Sequence, residues 1–179
     1  MKNIIFFTQF CLILLLSACT DPDPNVDKTG KDEFKSYEVD HPVNSTAQLF
    51  HDVIYVPIYS NIYIDQQNQK NLLAATLSIR NTSYADSLFV SKIDYFNTDG
   101  NLVRSYIENL ISLPPMGTIN YVIEKEDDLG GAGANFIVEL SAENNGIKPL
   151  IQAIMIGQTG NKAFSFVVDG YSLGSGNKK

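Results

Sequence analysis

The feature of this sequence that most constrains its fold is an alternation of apolar and polar side chains with a period of two. In the segment 136–143, Phe136, Val138 and Leu140 share one face and Glu139 lies on the other. This period is typical of β-strands that bury one face and expose the other. Alternating segments and short apolar runs predict strands at residues 72–81, 88–96, 102–107, 119–124, 136–143, 150–156 and 163–169.

Turn signals between these segments favour an antiparallel arrangement. Asn97–Asn101 separates two predicted strands, and its Asp99-Gly100 pair tolerates the positive φ that hairpin turns require. Residues 150–156 are more uniformly apolar than the other strands, which predicts burial on both faces. No segment carries a helical apolar stripe over three turns. We therefore predict an all-β protein, an antiparallel β-sandwich of the immunoglobulin-like kind, with a small barrel as the alternative.

The N-terminus has the organisation of a bacterial secretion signal. Lys2 precedes an apolar run over residues 4–16, which is shorter than the roughly 20 residues that a membrane-spanning helix needs. The run ends in Leu16–Cys19 (LSAC), which resembles the lipobox of bacterial lipoproteins. In that family the cysteine thiol carries diacylglycerol and the signal is cleaved before it. The resemblance implies that residues 1–18 are a signal peptide and that Cys19 is the lipid attachment site. The alternative is an ordinary cleaved signal that ends in cysteine.

Composition divides the mature chain into a tether, one domain and a tail. Residues 19–48 are rich in Asp, Pro, Asn, Lys and Thr, which favours a flexible tether after the lipidated cysteine. Residues 49–170 hold the predicted strands and make one β-sandwich domain, followed by a disordered tail at 171–179. Cys11 leaves with the signal, so the domain has to fold without a disulfide.

The expected location is the bacterial cell envelope, with the protein anchored in a membrane by its lipid. Thr20, beside the anchor, is neutral. Some Gram-negative bacteria retain lipoproteins that have Asp at this position in the inner membrane. We therefore expect the outer membrane rather than the inner membrane in a Gram-negative cell.

Charge and the shortage of metal-binding side chains argue against several function classes. The chain has a formal net charge of −7, and loss of Lys2 with the signal makes the mature protein one unit more negative. An acidic surface argues against nucleic-acid binding and against docking on anionic lipid through basic residues. Only His41 and His51 could supply imidazole ligands, and the mature chain has no free thiol. We therefore predict no metal site and no cofactor.

No arrangement of residues identifies a catalytic nucleophile. The sequence has no Gly-x-Ser-x-Gly elbow, and no serine stands out as a partner for His51. We predict that the protein is not an enzyme. A carboxylate-dependent hydrolase stays as a lesser alternative, because the separation of two carboxylates depends on the fold.

Two neighbouring segments have a structural explanation. Gly130–Gly133 lacks the helix and the lysine of a phosphate-binding loop, and acidic residues precede it. We predict a tight turn or bulge where side chains would clash. The acidic residues from Glu124 to Asp128 could offer oxygen ligands to calcium, but their spacing differs from that of an EF-hand loop. A solvated turn is the preferred interpretation.

A run of tyrosines supplies the candidate binding residues. Tyr55, Tyr59 and Tyr63 share one face if residues 53–65 form a continuous strand. Pro57 cannot donate a ladder hydrogen bond, which suits an edge strand or a bulge. An exposed row of these rings could bind a partner, because aromatic side chains are enriched at interfaces. Alternatively, the rings cover the second sheet, or the run bends at Pro57 into two strands.

Three stretches together carry a resemblance to a known family. They are Val53–Ser60 (VIYVPIYS), Leu73–Asn81 (LAATLSIRN) and Gly130–Glu139 (GGAGANFIVE). Their order and spacing resemble the domain-of-unknown-function 3124 family of bacterial, often lipid-anchored proteins. The activity of that family is unknown, so the resemblance implies no catalytic residue.

These observations favour a non-catalytic binding or interaction module held at the envelope. Its expected partners are the membrane, through the N-terminal lipid, and another envelope protein or a glycan, but not nucleic acid. The alternative is a structural or accessory envelope lipoprotein without a ligand. Exposure of Tyr55, Tyr59 or Tyr63 would support the binding module, and burial of all three would weaken it.

Overall fold

The computed structural model describes residues 35–39, 49–67 and 69–174, and in this part of the chain the protein is all-β, with two antiparallel sheets. The predicted signal peptide, Cys19 and His41 lie outside the described residues. The described part of the chain contains no helix that could span a membrane. The strands are β1 (Glu38–Val39), β2 (Phe50–Pro57), β3 (Asn61–Tyr63), β4 (Lys70–Arg80), β5 (Leu88–Phe96), β6 (Leu102–Ser105), β7 (Leu110–Leu113), β8 (Thr118–Ile123), β9 (Asn135–Ala142), β10 (Leu150–Thr159), β11 (Lys162–Asp169) and β12 (Tyr171–Ser172).

The strands are arranged in two layers. Sheet 1 has seven strands in the order β1-β7-β5-β9-β2-β12, and β6 also pairs with β5. Sheet 2 has five strands in the order β11-β10-β4-β3, and β8 also pairs with β4. All these pairs are antiparallel. The predicted hairpin joins β5 to β6, with Gly100 at a φ of 79° in its turn.

This pairing confirms the predicted β-sandwich. β4 pairs with β8 in sheet 2, and β5 pairs with β9 in sheet 1. In immunoglobulin domains strand B pairs with strand E, and strand C pairs with strand F; here β4 and β8, and β5 and β9, take these places. The first strand of an immunoglobulin domain lies beside B and the last lies beside F. Here these neighbours are exchanged, because β2 lies beside β9 and β10 lies beside β4.

The core lies between the inward faces of the long strands. β4 contributes Leu73, Leu77 and Ile79, and β9 contributes Phe136 and Val138, all fully buried. The burial of both strands follows the predicted alternation. Burial of each such side chain stabilises the fold by roughly 2 kcal/mol of transfer free energy. The core has to supply this stability, because the described part of the chain contains no cysteine that could form a disulfide.

β5 reverses its alternation halfway along. Leu88 and Val90 are buried in its first half. Ile93 and Tyr95 are buried in its second half, so the step from Val90 to the next buried residue is three positions instead of two. The register against β9 shifts at Ser91, which is the extra residue of a β-bulge. The bulge directs both halves of the strand toward the same core.

Two features of the sandwich differ from the sequence-based expectations. The prediction that residues 150–156 are buried on both faces is wrong, because β10 alternates and Ile156 is 52% exposed. Sheet 1 also extends beyond the predicted domain limits of 49 and 170, since β1 pairs with β7 and β12 pairs with β2. The chain crosses from sheet 2 to sheet 1 at Gly170, where a Cβ would lie 2.6 Å from Ile54 Cγ2.

Candidate functional site

The tyrosine run bends into two strands, as one of the alternatives predicted. β2 ends at Pro57 and β3 begins at Asn61, and the two strands belong to different sheets. The N–H of Ile58 donates to the carbonyl oxygen of Ala134, the residue just before β9. Successive backbone nitrogens point to opposite sides of a strand, so the nitrogen of Pro57 faces the open side, where no donor is needed.

The three tyrosines therefore lie in three different environments. Tyr55 is half-buried on sheet 1, opposite Tyr171 of β12. Tyr59 is half-buried against the core, and its ring centroid is 6.0 Å from that of Phe166. Tyr63 is 53% exposed at the end of β3. Of the three, Tyr63 is the ring that solvent reaches most, and it borders a cleft.

A cleft of about 490 Å³ opens at the end of the sandwich where β3 and two loops meet. We call it the end cleft. Its volume is within the range of small-molecule sites. The end cleft is lined by Asn61, Tyr63 and Lys70 from β3 and the start of β4, by Asn97, Thr98 and Asp99 from the β5–β6 turn, and by residues 128–133 before β9.

The glycine turn (residues 130–133) forms one wall of the end cleft and is held by hydrogen bonds from two sides. The N–H of Ser60 donates to Gly131 O. The N–H and the hydroxyl of Thr98 both donate to Gly130 O, at 2.8 and 2.9 Å. These bonds join the turn to the β2–β3 bend and to the β5–β6 turn, so the wall is fixed without a ligand.

Gly130 is the position in this turn that requires a glycine. A Cβ there would lie 1.9 Å from Tyr95 Oη and 2.7 Å from Ser60 Oγ. The Tyr95 hydroxyl lies 2.9 Å from Ser60 Oγ and also bonds the backbone of Gly130. Burial raises the pKa of the Tyr95 phenol, and the Ser60 hydrogen bond opposes that shift. The prediction of a turn where side chains would clash is confirmed.

Asn61 lies at the base of the end cleft with an unpaired side chain. Ile62 packs against the core, so the alternation of β3 places Asn61 and Tyr63 on the opposite face. Asn61 is 0% exposed, and neither its Oδ1 nor its Nδ2 has a hydrogen-bond partner among the residues that the structure describes. An unsatisfied buried polar group costs roughly 1–3 kcal/mol, and such groups are rare in native proteins. A bound polar group would remove this cost.

Asn81 shows how the same residue type is satisfied elsewhere in the fold. It is 2% exposed. Its Nδ2 donates to the carbonyl oxygens of Asp86, Leu113 and Pro114. Its Oδ1 accepts the N–H of Ser83 at 3.0 Å. Burial by itself therefore does not leave an asparagine unpaired in this sandwich.

The charges around the end cleft have both signs. Lys70, Asp99 and Asp128 line it, and all three side chains are exposed. Asp127, beside the cleft, pairs with Arg104 at 3.5 Å. In the part of the chain that the structure describes, no group of three His, Cys, Asp or Glu side chains could hold a metal ion.

His51 lies on sheet 1, away from the end cleft. Its Nε2 is 2.9 Å from Glu139 Oε1, and Lys92 Nζ is 3.9 Å from Glu139 Oε2. All three side chains are about one third to one half exposed. Ion pairs this exposed contribute little to stability, so we assign this group to the surface of sheet 1.

Asn61 is the site residue that sequence reasoning missed. The sequence carries one signal for it, the polar pair Ser60-Asn61 inside an otherwise apolar run. That signal does not show that Asn61 lacks a partner, because the missing partner would come from distant loops.

The fold and the site define the class of this protein: an antiparallel β-sandwich with a polar cleft at one end. Residues 51–173 match the family described as protein of unknown function DUF3124, and the chain belongs to this family. The predicted family membership is confirmed. A crystal structure of Thermotoga maritima 1070 is similar, with a TM-score of 0.40 and 11% sequence identity over 67% of this chain and 92% of that chain. Among curated proteins, none matches this sequence.

Proposed function

We propose that this protein is a lipid-anchored binding module of the bacterial cell envelope and that it contacts its ligand in the end cleft. One observation carries the proposal: the cleft places the exposed ring of Tyr63 beside the buried, unpaired carboxamide of Asn61. An aromatic surface with a few oriented polar groups is typical of ligand sites. The fixed glycine turn supports binding, since a wall that is already ordered loses little entropy when a ligand arrives.

The proposed anchor is a lipid on Cys19. It rests on the resemblance of Leu16–Cys19 to a lipobox. Each buried methylene of an acyl chain contributes about 0.8 kcal/mol to membrane binding, so several chains on one residue hold the protein firmly. The proposed location is the outer membrane in a Gram-negative cell, because the residue after the cysteine is Thr20.

A binding role fits the end cleft better than catalysis. Asp99 and Asp128 both line the cleft, and a carboxylate-dependent hydrolase needs such a pair. The acid of that pair has to sit in an apolar environment that raises its pKa toward neutrality. Asp99 and Asp128 are both exposed. We therefore propose that the ligand is bound and not cleaved.

The test compares the full-length protein with four variants, Cys19→Ala, Tyr63→Ala, Tyr84→Ala and Asp128→Asn, in detergent-solubilised envelopes. Metabolic labelling with a palmitate analogue should label the wild type and not Cys19→Ala. A component captured by the wild type should be lost with Tyr63→Ala. It should be retained with Tyr84→Ala, because Tyr84 is 88% exposed and lies outside the end cleft.

Three results would count against the proposal. A wild-type protein that takes no label contradicts the anchor. Equal capture by the wild type and Tyr63→Ala contradicts the end cleft as the contact site. Ligand cleavage by the wild type that is lost with Asp128→Asn would identify the protein as a hydrolase.

A further inference from the structure

We propose that the ligand of the end cleft is a neutral carbohydrate, with two adjacent hydroxyl groups on Asn61 and the face of one sugar ring on Tyr63. This inference rests on the proposed binding function and specifies the ligand class. Its basis is the donor and acceptor set, the exposed ring and the charges of the end cleft.

The carboxamide of Asn61 presents an acceptor, Oδ1, and a donor, Nδ2, side by side, and both are unpaired. A ligand that satisfies both needs a donor and an acceptor next to each other. Each sugar hydroxyl can donate and accept, so two neighbouring hydroxyls can pair with both ends of one carboxamide. A trans amide directs its N–H and C=O to opposite sides and can satisfy only one end.

Tyr63 supplies a surface for the apolar face of a sugar ring. It lies two residues after Asn61 on the same face of β3. Such positions are about 6.6 Å apart along a strand, which is comparable with the size of one monosaccharide. Tyrosine combines an apolar ring with a polar hydroxyl, and a sugar likewise combines C–H faces with hydroxyl edges.

The opposite wall lets a ligand approach the backbone. The glycine turn carries no side chain larger than that of Ala132. Thr98 braces it, since the Thr98 hydroxyl donates to Gly130 O and accepts the N–H of Gly133, both at 2.9 Å. A sugar edge can therefore reach main-chain polar groups of a fixed surface.

The rim charges favour a neutral ligand. The carboxylates of Asp99 and Asp128 would repel a phosphate or another anion, although Lys70 is close by. A multivalent cation would need a set of acidic or imidazole ligands, and none is grouped among the described residues. Sugar hydroxyls can donate to the carboxylates of Asp99 and Asp128 and accept from the ammonium group of Lys70. A neutral sugar can therefore form hydrogen bonds with all three side chains.

Binding also requires a local movement, because Asn61 is fully covered in the free protein. Lys70 and Leu129 lie on the rim and are exposed. They are among the exposed side chains of the cleft that can change rotamer without disturbing the core, and the proposal requires that such a change uncovers Asn61. The hydrogen bonds made to Asn61 then compensate for the cost of that rearrangement.

The experiment titrates the full-length, lipidated protein in detergent micelles with maltotriose, cellotriose and triacetylchitotriose, by calorimetry and saturation-transfer NMR. We expect at least one trisaccharide to bind. Tyr63→Ala and Asn61→Leu should each weaken binding about tenfold, the loss expected for one buried polar pair or one stacked ring. Tyr63→Phe keeps the ring and should stay within about twofold of the wild type, as should Tyr84→Ala. Far-UV circular dichroism of each variant checks that the sandwich has folded.

The possible failures are separable. Binding of inorganic phosphate without sugar binding overturns the inference, as does sugar binding that survives both Tyr63→Ala and Asn61→Leu. If no trisaccharide binds but envelope capture still depends on Tyr63, the carbohydrate inference fails and the proposed function stands. If sugar binds at the end cleft but Cys19 takes no lipid label, the anchor fails and the ligand class stands.

Discussion

Gly130 and Asn61 lie at the same end of the sandwich and are constrained in opposite ways. Gly130 has no room for a side chain, because the hydroxyls of Tyr95 and Ser60 occupy the space. Asn61 has a side chain for which the described part of the fold provides no hydrogen-bond partner. Both constraints come from parts of the chain that are distant in sequence, and each leads to a substitution whose effect can be measured.

Gly130→Ala should lower the free energy of unfolding by roughly 2–3 kcal/mol, as expected for overpacking a closely filled site. The new Cβ would displace the Tyr95 hydroxyl from Ser60 and from the turn. Gly133→Ala is the matched control in the same turn. Its Cβ would be 3.2 Å from Thr98 Cγ2, and we expect a loss below about 1 kcal/mol. Equal losses in urea denaturation would contradict the assigned role of Gly130.

Asn61→Leu should leave the free energy of unfolding unchanged or raise it by about 1 kcal/mol, although it removes a buried polar residue. Leucine has a similar branched shape and carries no unsatisfied donor or acceptor. Asn81→Leu is the control, because it leaves the carbonyl oxygens around Asn81 without a donor. That variant should lose roughly 2–4 kcal/mol. If thermal unfolding shows equal destabilisation for both variants, Asn61 has a partner in solution.

At the scale of elements, two local irregularities place the site. The bend between β2 and β3 sends Tyr63 to the end cleft and leaves Tyr55 on sheet 1. The bulge at Ser91 turns Tyr95 into the core, where its hydroxyl holds the glycine turn. Each irregularity moves a side chain from one face to another, which a regular alternation cannot do.

Deletion of Ser91 should leave the domain folded, because it removes the extra residue of the bulge and keeps the pairing of β5 with β9. Val90 and Lys92 pair with the adjacent residues Leu140 and Glu139, so a β5 without Ser91 alternates regularly and keeps Tyr95 toward the core. We expect the free energy of unfolding to change by less than about 2 kcal/mol, because only the local twist of the bulge is lost. Ser91→Ala keeps the bulge and removes only a weak hydrogen bond at 3.4 Å, so it should change stability by less than about 0.5 kcal/mol. A deletion variant that loses the protease resistance of the wild type would show that the fold requires the bulge itself.

At the scale of the whole molecule, an aromatic cluster joins the two sheets. Tyr106 from the β6–β7 loop packs against Tyr121 of sheet 2 and Phe136 of sheet 1, with ring centroids 5.2 and 5.7 Å apart. In the same cluster, the ring centroid of Tyr95 lies 5.4 Å from that of Phe136. The two Tyr106 pairs are edge-to-face, a geometry that contributes about 0.5–1.5 kcal/mol per pair beyond burial. Three of the four rings are phenols, so the contact between the sheets is sensitive to high pH.

The sandwich should lose stability above pH 10. Burial raises the pKa values of Tyr95, Tyr106 and Tyr121 above their ordinary value of 10.0. A raised pKa means that the folded state keeps protons that the unfolded state has released. The stabilisation is complete below pH 10, and the free energy of unfolding then falls by up to about 1.4 kcal/mol per pH unit for each phenol.

Denaturation curves at pH 8, 10 and 11 measure this slope. Tyr121→Phe should make it shallower by up to about 1.4 kcal/mol per pH unit, because one linked proton is removed. Phenolate absorbance should show these three rings ionising only as the circular dichroism of the sheets is lost. Ionisation of all nine tyrosines while the sheets stay folded would contradict the prediction.

The long strands could be predicted because alternation is a local property. β4, β5, β8, β9 and β11 lie within two residues of their predicted limits. β1, β3, β7 and β12 were not predicted as separate strands, since two to four residues contain too little alternation to recognise. β10 was predicted as a strand, but its exposure was not, because that depends on what covers its outer face.

The sequence by itself determined the all-β class, the β5–β6 hairpin and the presence of a turn at Gly130–Gly133, since each follows from neighbouring residues. Only the tertiary structure decided that the tyrosines separate and that Asn61 is buried without a partner. It also decided that the end cleft joins β3 to two loops that follow it by more than 30 residues. The physical reason is that the burial and hydrogen bonding of a side chain are set by all the segments that meet around it. Local sequence patterns do not show which distant segments will be in contact, so these properties become visible only in the folded structure.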